Sequence, residues 1–278
     1  MHKSGFVNII GNPNVGKSTL MNALVGEKLS IITSKAQTTR HRIMGIVSGE
    51  DFQIVYSDTP GILKPSYKLQ ESMMKFVTGA VADADVILYV TDTVERGERS
   101  AEIIDRIRQS GVPAIVVINK IDLTTPEARI VPASAKENFN IEGLFKTILD
   151  LLPEGPAFYP KDTLTDKTLR FFASEIIREK ILRFYDKEIP YCCEIEIESY
   201  KEEPAIDRIA ATIYVARDSQ KGILIGHKGE KLKRVGQAAR EDMEQFLGKK
   251  VFLQLFVKVN DDWRNNERQL RRFGYELE

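Results

Sequence analysis

Three short groups of residues in the first half of the chain have types and spacing that suit nucleotide chemistry. The loop from Gly11 to Ser18 fits the pattern G-x-x-x-x-G-K-[ST], whose glycines let backbone N–H groups turn inward around a phosphate. The helix expected to begin near Lys17 would present its positive end there. We expect the Lys17 ammonium to reach the β- and γ-phosphates and the Ser18 hydroxyl to bind Mg²⁺.

The choice of base is predicted from Asn119-Lys120-Ile121-Asp122, which follows an apolar run at 114–118. A carboxylate at the tip of a buried strand can accept two hydrogen bonds from neighbouring N–H donors, and guanine offers that pair whereas adenine does not. Each bond to a charged acceptor contributes roughly 1.5–3 kcal/mol, so Asp122 is expected to select guanine. Ala133-Ser134-Ala135-Lys136, after the strand-like residues 128–131, is expected to hold the guanine oxygen through backbone N–H groups.

Asp58-Thr59-Pro60-Gly61 follows a strand-like segment and supplies the third group. An Asp there can hold Mg²⁺ through water, and Gly61 has no side chain to stop its N–H from turning toward the γ-phosphate and releasing it later. A nucleotide switch also needs a hydroxyl that joins the Mg²⁺ shell only when the γ-phosphate is present. Either Thr38 or Thr39 can supply that hydroxyl, and spacing does not choose between them.

In this order the motifs resemble the translation-factor class of P-loop GTPases, and specifically the Era family, over essentially the whole chain. In that family the Thr directly before Arg is usually the switch residue, which favours Thr39. The resemblance therefore implies Ser18 and Thr39 as Mg²⁺ ligands, with Asp58 acting through water. The expected contacts with GTP or GDP are Gly11, Asn12, Pro13, Asn14, Val15, Gly16, Lys17, Ser18, Thr19, Asp58, Thr59, Pro60, Gly61, Ile62, Asn119, Lys120, Asp122, Ser134, Ala135 and Lys136.

Ile62 occupies the position where many small GTPases carry a Gln that orients the attacking water, so slow intrinsic hydrolysis is expected. Related GTPases with an Asn at the Asn14 position use bound K⁺ to spread charge in the transition state. An arginine supplied in trans would otherwise contribute about 10³–10⁵ in rate. A turn or capping role explains Asn14 equally well. The residues expected to act in catalysis are Lys17, Thr39, Gly61 and Asn14.

The interval between Asp122 and Ser134 is short for this fold. A G domain usually fits a helix there, and parallel neighbours need a crossover of at least about ten residues. Either the fold is trimmed, or a segment is missing from the chain. The second explanation is favoured because the motifs on both sides are intact.

Composition indicates two soluble domains. The chain has 278 residues, 42% of them hydrophobic, and a formal net charge of zero. No apolar run approaches the ~20 residues that span a membrane, and the first residues lead directly into a strand, leaving no room for a signal peptide. Cys192 and Cys193 are expected on a strand with their side chains on opposite faces, which excludes a structural disulfide and fits a reducing cytoplasm.

The predicted domain boundary lies where prolines and a glycine end a helix near residue 152. Residues 1–153 are assigned to an α/β P-loop GTPase domain, a mostly parallel sheet with helices on both faces. Residues 154–167 are assigned to a linker. Residues 168–278 follow the order α-β-β-α-β, which predicts a smaller α+β KH domain of type II, with strands at 191–200, 209–217 and 251–259 and a final helix at 263–273.

The loop from Ile223 to Gly229 contains the G-x-x-G pattern of KH domains. Its glycines would let the backbone approach a sugar-phosphate chain, while the apolar residues before it would form the floor of a groove for unstacked bases. A glycine-containing turn between helices is the alternative. The residues expected to contact RNA are Lys221, Ile223, Ile225, Gly226, His227, Lys228, Gly229, Lys231, Lys233 and Arg234.

These features predict a GTP-hydrolysing switch joined to an RNA-binding domain. The resemblance implies binding of 16S-type ribosomal RNA near its 3′ end and a role in maturation of the small ribosomal subunit. Two alternatives are an RNA-binding module with a structural nucleotide and a signalling GTPase peripheral to the inner face of the cell membrane. A cytoplasmic monomer is expected. Trp263 is expected to be an anchor rather than a base-stacking residue, and Lys28, Lys35, Arg40 and Arg42 are expected on a solvated face.

Overall fold

The computed structural model describes residues 1–93, 101–120, 134–137 and 139–275. The chain divides into two compact units. The first contains Met1–Ser66 and Gln70–Asp166, and the second contains Tyr67–Leu69 and Lys167–Glu278. Residues 154–166, which the sequence assigns to a linker, therefore group with the first unit. The predicted domain bounds themselves stay a prediction.

The first unit is built on a mostly parallel sheet. Its described strands lie in the order β2-β3-β1-β4-β5, with only the β2–β3 pair antiparallel among them. This arrangement confirms the predicted α/β fold. The elements are β1 (Lys3–Gly11), α1 (Lys17–Val25), β2 (Ile43–Ser48), β3 (Phe52–Asp58), α2 (Lys68–Ala82), β4 (Val86–Asp92), α3 (Ala101–Ser110), β5 (Ala114–Asn119) and α4 (Ile141–Leu151).

Three of the predicted motifs lie at the same end of the sheet, where its parallel strands finish. Strand β1 is central and carries buried apolar side chains on both faces, as expected for a strand covered on both sides. Because β1, β3 and β5 all run parallel, the residues after Gly11, Asp58 and Asn119 emerge at the same end of the sheet. Ligands of open α/β sheets bind at that end.

The second unit has a three-stranded sheet in the order β6-β7-β8, in which β7 and β8 are parallel. Helices α5 and α8 contribute buried residues to a core cluster of this unit, among them Ile177, Ile181 and Val235. The element order confirms the predicted type II KH fold. The elements are α5 (Leu169–Phe184), α6 (Ile189–Cys192), β6 (Glu194–Lys201), β7 (Ile206–Val215), α7 (Asp218–Ile225), α8 (Glu230–Leu247), β8 (Lys250–Val259) and α9 (Glu267–Arg272).

The strand predicted at 191–200 begins later, and the prediction for the two cysteines was wrong. Pro190 stands at the start of the short helix α6, where its fixed φ is tolerated, and that helix includes Cys192. The two thiols lie near the same acceptor, with Cys192 Sγ 3.4 Å and Cys193 Sγ 3.1 Å from the Ile189 carbonyl oxygen. They therefore do not point to opposite faces of a strand.

The final helix is shorter than predicted because Asn266 caps it, accepting a hydrogen bond from Gln269 N at 3.1 Å. Trp263 lies in the turn before it and is fully buried. Its Nε1 donates to Cys192 O at 3.0 Å, and its ring meets Phe273 edge-on. The anchor interpretation of Trp263 is confirmed.

The predicted solvated face near the switch was wrong for two of its four residues. Arg40 is buried, with 1% of its surface exposed. The Arg42 guanidinium donates to Asp83, to Ser57 Oγ at 2.6 Å and to Asn8 Oδ1 at 3.1 Å. These acceptors replace water around the guanidinium: Ser57 lies on β3, Asn8 on the central strand β1, and Asp83 directly after α2. Among the helices in the described ranges, none is long and apolar enough to cross a membrane.

Candidate functional site

The phosphate-binding loop joins β1 to α1, and close packing explains both Gly16 within the loop and Gly61 beside it. Gly16 has φ 93°, and a Cβ atom there would lie 2.2 Å from Asn119 Nδ2. A Cβ atom at Gly61 would lie 2.7 Å from Pro13 Cα. The Lys17 ammonium is buried in the loop and donates to the carbonyl oxygens of Gly11 and Asn12 at 3.0 and 2.8 Å. The loop therefore holds the Lys17 ammonium against its own backbone carbonyl groups.

Three oxygen-bearing side chains meet beside this loop. Ser18 Oγ donates to Asp58 Oδ2 at 2.7 Å, Thr39 Oγ1 lies 3.3 Å from the same oxygen, and the two hydroxyls are 3.0 Å apart. Asp58 Oδ1 is buried and has no hydrogen-bond partner among the described residues. A buried carboxylate oxygen is rarely left unpaired, and Mg²⁺ prefers oxygen ligands and retained water. These residues fit a Mg²⁺ site.

Burial raises the pKa of Asp58 above its ordinary value. The Lys17 ammonium and the hydroxyls of Ser18, Ser30 and Thr39 act in the opposite direction because they favour the charged carboxylate. Ser30 contributes through proximity, since its Oγ makes no hydrogen bond of acceptable geometry with a described residue. A divalent cation near Asp58 would favour the charged form further.

The structure distinguishes the two candidate switch threonines by their positions. Thr38 Oγ1 donates to Lys35 O at 2.6 Å and lies 2.7 Å from Thr33 Oγ1. Thr39 Oγ1 instead lies with Ser18 and Asp58. Only Thr39 of the pair is therefore placed beside the candidate metal ligands.

We predict that Thr39→Ala raises the Mg²⁺ concentration needed for half-maximal binding of a GTP analogue, because one hydroxyl ligand is lost. Thr38→Ala is the matched control and should leave this concentration unchanged. Fluorescence of a labelled GTP analogue during Mg²⁺ titration measures both. An effect of Thr38→Ala as large as that of Thr39→Ala would contradict the assignment.

The loop and the switch segment line a cavity of about 450 Å³. Sequence reasoning missed much of its wall, because the switch segment carries no motif beyond its threonines and its position in the chain. The predicted residues that line it are Pro13, Asn14, Gly16, Lys17, Ser18, Thr19, both switch candidates Thr38 and Thr39, Gly61 and Lys120. The residues that were missed are Ile31, Ile32, Thr33, Ser34, Lys35 and Gln37.

Asn119 connects the phosphate loop to the turn at 134–137. Its Nδ2 donates to Val15 O at 2.9 Å, and its Oδ1 accepts from Ala135 N at 3.2 Å. Lys120 Nζ donates to Asp92 Oδ2 at 2.6 Å. The side chain of Asn119 thus joins the loop that the sequence assigns to phosphates to the turn that it assigns to the guanine base. Asp122, Ala133 and the interval between them lie outside the described residues.

Several predicted GTP contacts lie behind the cavity wall rather than on it. The Thr59 hydroxyl is buried and donates to Ile9 O at 2.8 Å. The Ile62 side chain belongs to an apolar cluster with Ile10 and Val77, while its N–H donates to Gly11 O at 3.1 Å. The lining of the cavity also does not include Gly11, Asn12, Val15, Asp58, Pro60, Asn119, Ser134, Ala135 and Lys136. Direct contact of these residues with nucleotide stays a prediction.

In the second unit, the G-x-x-G loop is an exposed turn between α7 and α8. Gly226 and Gly229 have φ 74° and 82°, and Lys228 between them has φ 49°. The side chains of His227 and Lys228 are exposed. Positive φ at three positions turns the backbone outward at a low steric cost only because two of them are glycine. The loop can therefore approach an extended ligand closely.

The turn before this loop is anchored from inside the unit. The Tyr185 hydroxyl donates to Leu224 O at 2.6 Å, and Leu224 is fully buried. Burial raises the pKa of Tyr185 to about 12, so the hydroxyl remains a donor at neutral pH.

The other predicted RNA contacts flank the loop on α7 and α8. Lys231, Lys233 and Arg234 are exposed, and the Arg234 guanidinium stacks 4.3 Å from the centre of the Phe184 ring. Ile223 is exposed and Ile225 partly so, whereas an apolar side chain on a helix would ordinarily be buried. Lys221 is partly exposed. The surface beside the loop thus combines apolar groups with positive charge.

Comparisons with known proteins agree with both units. Residues 6–120 match the family described as 50S ribosome-binding GTPase, and residues 188–264 match the KH domain family. The chain is 46% identical to GTPase Era of Alkaliphilus metalliredigens over 293 residues, with 99% of each chain covered. It is 45% identical to GTPase Era of Staphylococcus haemolyticus, covering 99% of this chain and 97% of that one. Because 293 exceeds the 278 residues of this chain, the first relative carries residues that this chain lacks.

Solved structures give the same result. A crystal structure of Era in complex with MgGDPNP and nucleotides 1506–1542 of 16S ribosomal RNA is 41% identical, with a TM-score of 0.95 and 100% of both chains covered. A variant of Era from Aquifex aeolicus bound to GDP and AlF₄⁻ is also 41% identical, with a TM-score of 0.94, covering 99% of this chain and 100% of that one. Sequence and fold agree over both units, so the chain belongs to the Era family of GTPases.

Proposed function

We propose that this protein is a GTP-hydrolysing switch that binds small-subunit ribosomal RNA near its 3′ end and assists assembly of that subunit. The observation that carries the switch is the meeting of Ser18, Thr39 and Asp58 beside the phosphate loop. The G-x-x-G loop of the second unit supports RNA binding. The related Era structure that contains both MgGDPNP and 16S ribosomal RNA supports the pairing of the two activities.

Within the nucleotide site, Ser18 and Thr39 would hold Mg²⁺ directly and Asp58 through water. When bound, Mg²⁺ neutralises charge on the β- and γ-phosphates. Lys17 would exchange its two carbonyl partners for phosphate oxygens. Gly61 would donate its N–H to the γ-phosphate, and its close approach to Pro13 keeps that N–H near the phosphate loop. Loss of the γ-phosphate would release Thr39 and Gly61 together.

We further propose that intrinsic hydrolysis is slow. The side chain that follows Gly61 is Ile62, which is buried among apolar neighbours and has no polar atom to orient a water molecule. Another source of transition-state stabilisation is therefore needed. Asn14 is a candidate because it is exposed, lines the cavity and has φ 66°. Asn also tolerates this left-handed conformation in ordinary turns, so a turn role explains the same geometry.

We predict that K⁺ raises the hydrolysis rate over Na⁺ at equal ionic strength, because an ion held by Asn14 would spread transition-state charge. Asn14→Ala should remove the difference and leave nucleotide affinity largely intact. Phosphate release in matched KCl and NaCl buffers measures the effect. Equal rates of the unaltered protein in the two salts would reject the ion and favour a residue supplied by a partner.

Simple assays distinguish the proposed function from two alternatives, an RNA-binding module with a structural nucleotide and a membrane-associated GTPase. If RNA recognition is the whole function and the nucleotide only stabilises the fold, purified protein will release no phosphate from GTP. If the protein is a membrane-associated GTPase, it will sediment with liposomes of anionic lipids. We favour the ribosomal role in the cytoplasm, as a monomer, because the family resemblance covers both units.

Crosslinking to cellular RNA in the GTP- and GDP-bound states tests the proposed function. We expect recovered RNA to be enriched in the 3′-terminal region of small-subunit ribosomal RNA, with a yield that differs between the two states. Enrichment of unrelated RNA with no dependence on nucleotide would overturn the proposal.

A further inference from the structure

The segment between the two units is hydrogen-bonded to the sheet of the first unit along its length. We call residues 153–166 the strap. At its beginning, Gly155 N donates to His2 O at 3.0 Å, and Pro156 O accepts from Ser4 Oγ at 2.7 Å. These contacts fasten the strap at the start of β1, at the end of the sheet away from the phosphate loop.

Gln53 holds the middle of the strap. This side chain lies on β3 and is fully buried. Its Oε1 accepts from Phe158 N at 2.7 Å and from Tyr159 N at 2.9 Å, and its Nε2 donates to Tyr159 O at 2.8 Å. Three hydrogen bonds from one buried amide fix the backbone of the strap, because leaving any of these groups unpaired would be costly.

The last part of the strap adds to the edge strand β2. Ile46 N donates to Leu164 O at 2.8 Å, and Gly45 forms an antiparallel bridge with Thr165. The strap thus supplies partners for backbone groups that an edge strand would otherwise present to water or to another chain. It runs along β2 toward the nucleotide end of the sheet.

The strap ends beside the switch. Thr165 Oγ1 donates to Met44 O at 2.6 Å, and Asp166 Oδ1 accepts from Met44 N at 3.0 Å. Both backbone groups of Met44 are therefore bound by the last two strap residues. Met44 follows Ile43, which is paired in the sheet with Asp58. The switch segment that contains Thr39 runs directly into this end of β2.

We propose that the strap carries the nucleotide state of the first unit to the RNA-binding unit by docking on β2 or releasing from it. This inference rests on the proposed function. A shift of Thr39 on hydrolysis moves the start of β2, because the chain is continuous, and the bonds from Thr165 and Asp166 to Met44 then lose their geometry. Thr168, which caps the N-terminus of α5, follows the strap almost at once, so its release reaches the second unit through the covalent chain. The docked and released strap are the two discrete states that coupling requires.

Paired variants within the strap test the proposal. Thr165→Val with Asp166→Ala removes both side-chain bonds to Met44, and Val keeps the size of Thr. Asp162→Ala with Thr163→Val makes the same two kinds of substitution nearby, where neither side chain forms a hydrogen bond with another described residue. Asp166→Asn retains an oxygen that can accept from Met44 N and serves as the conservative variant.

The measurement is the affinity of an oligonucleotide with the 3′-terminal sequence of small-subunit ribosomal RNA, in the GDP state and with a non-hydrolysable GTP analogue. We expect a ratio of at least about 5 between the two states for the unaltered protein, the lower end of typical coupling. In the Thr165/Asp166 variant the ratio should fall from about 5 to about 1, because the strap no longer couples the two units. It should persist in the Asp162/Thr163 control and in Asp166→Asn.

Hydrogen exchange gives an independent readout, since the Ile46 amide should exchange faster in the GDP state than with the GTP analogue. An unaltered ratio in the Thr165/Asp166 variant would overturn the proposal, as would equal affinities of the unaltered protein in the two states. Absence of RNA binding in every form and state would instead overturn the proposed function, and this inference with it.

Discussion

Gly16→Ala is expected to lower the affinity for GTP by about 100-fold. The added Cβ would lie 2.2 Å from Asn119 Nδ2, at a residue whose φ of 93° already disfavours any side chain. Relieving this clash displaces Asn119 and with it the loop, and each of its two hydrogen bonds, which would leave buried groups unpaired, costs about 1.5 kcal/mol. Because 1.4 kcal/mol is about tenfold in affinity, the combined effect is on the order of 100-fold.

Gly26→Ala is the matched control for this variant. Gly26 also has positive φ, 82°, but no atom lies within 4 Å of the position its Cβ would take, and it follows α1 outside the cavity lining. It should therefore lower thermal stability without changing GTP affinity. Calorimetric titration with a GTP analogue measures the affinity of both variants, and thermal unfolding measures their stability. Equal GTP affinities for Gly16→Ala and the unaltered protein would contradict the packing argument.

The second large effect is expected at the G-x-x-G loop. Replacing His227 and Lys228 by Asp places two negative charges on an exposed turn where phosphates must lie, so RNA binding should collapse. GTP hydrolysis without RNA should stay near that of the unaltered protein. The slope of log K against log salt should decrease by about 0.7 for each lost contact with a single-strand phosphate.

Exposed lysines elsewhere in the second unit provide a control whose charge change, −4, is slightly larger than the −3 of the loop variant with His227 neutral. Lys187 and Lys201 are exposed and lie outside the loop. Replacing both by Asp should reduce RNA affinity far less than the loop variant does. If the His227/Lys228 variant keeps its affinity and salt slope for the RNA 3′ region, the loop is only a turn and the KH assignment of function is wrong.

The features that were predicted best from the sequence are those that local geometry determines. The phosphate loop needs Gly at position 16, where a Cβ would meet Asn119, and the Asp58–Gly61 motif needs Gly at position 61, where a Cβ would meet Pro13. Both requirements are visible in the sequence as fixed spacings. The choice between Thr38 and Thr39 could not be read from spacing, because adjacent hydroxyls differ only in which long-range partners they reach. The family resemblance favoured Thr39, and the geometry gives the physical reason.

The strap was missed for a different reason. Its prolines and glycine are typical of a linker, and no local pattern shows that Gln53, on β3, supplies its hydrogen-bond partners. The error at Cys192 has a local cause, since Pro190 begins a short helix inside a segment that alternates like a strand. The pairing of the strap with an edge strand and its bonds to a buried amide both arise only in the tertiary structure.

The short interval between Asp122 and Ser134 stays open, because its residues lie outside the described ranges. The alignment with the Alkaliphilus relative exceeds the length of this chain, so that relative carries additional residues.

The assignment of this site to GTP hydrolysis is tested by phosphate release from the purified protein, measured with GTP and with ATP at saturating Mg²⁺. We predict slow release from GTP, little from ATP, and loss of the GTP signal in Lys17→Ala, whose ammonium lies inside the phosphate loop. Equal release from both nucleotides, or release from GTP that survives Lys17→Ala, would contradict the assignment of this site as a GTP-hydrolysing switch.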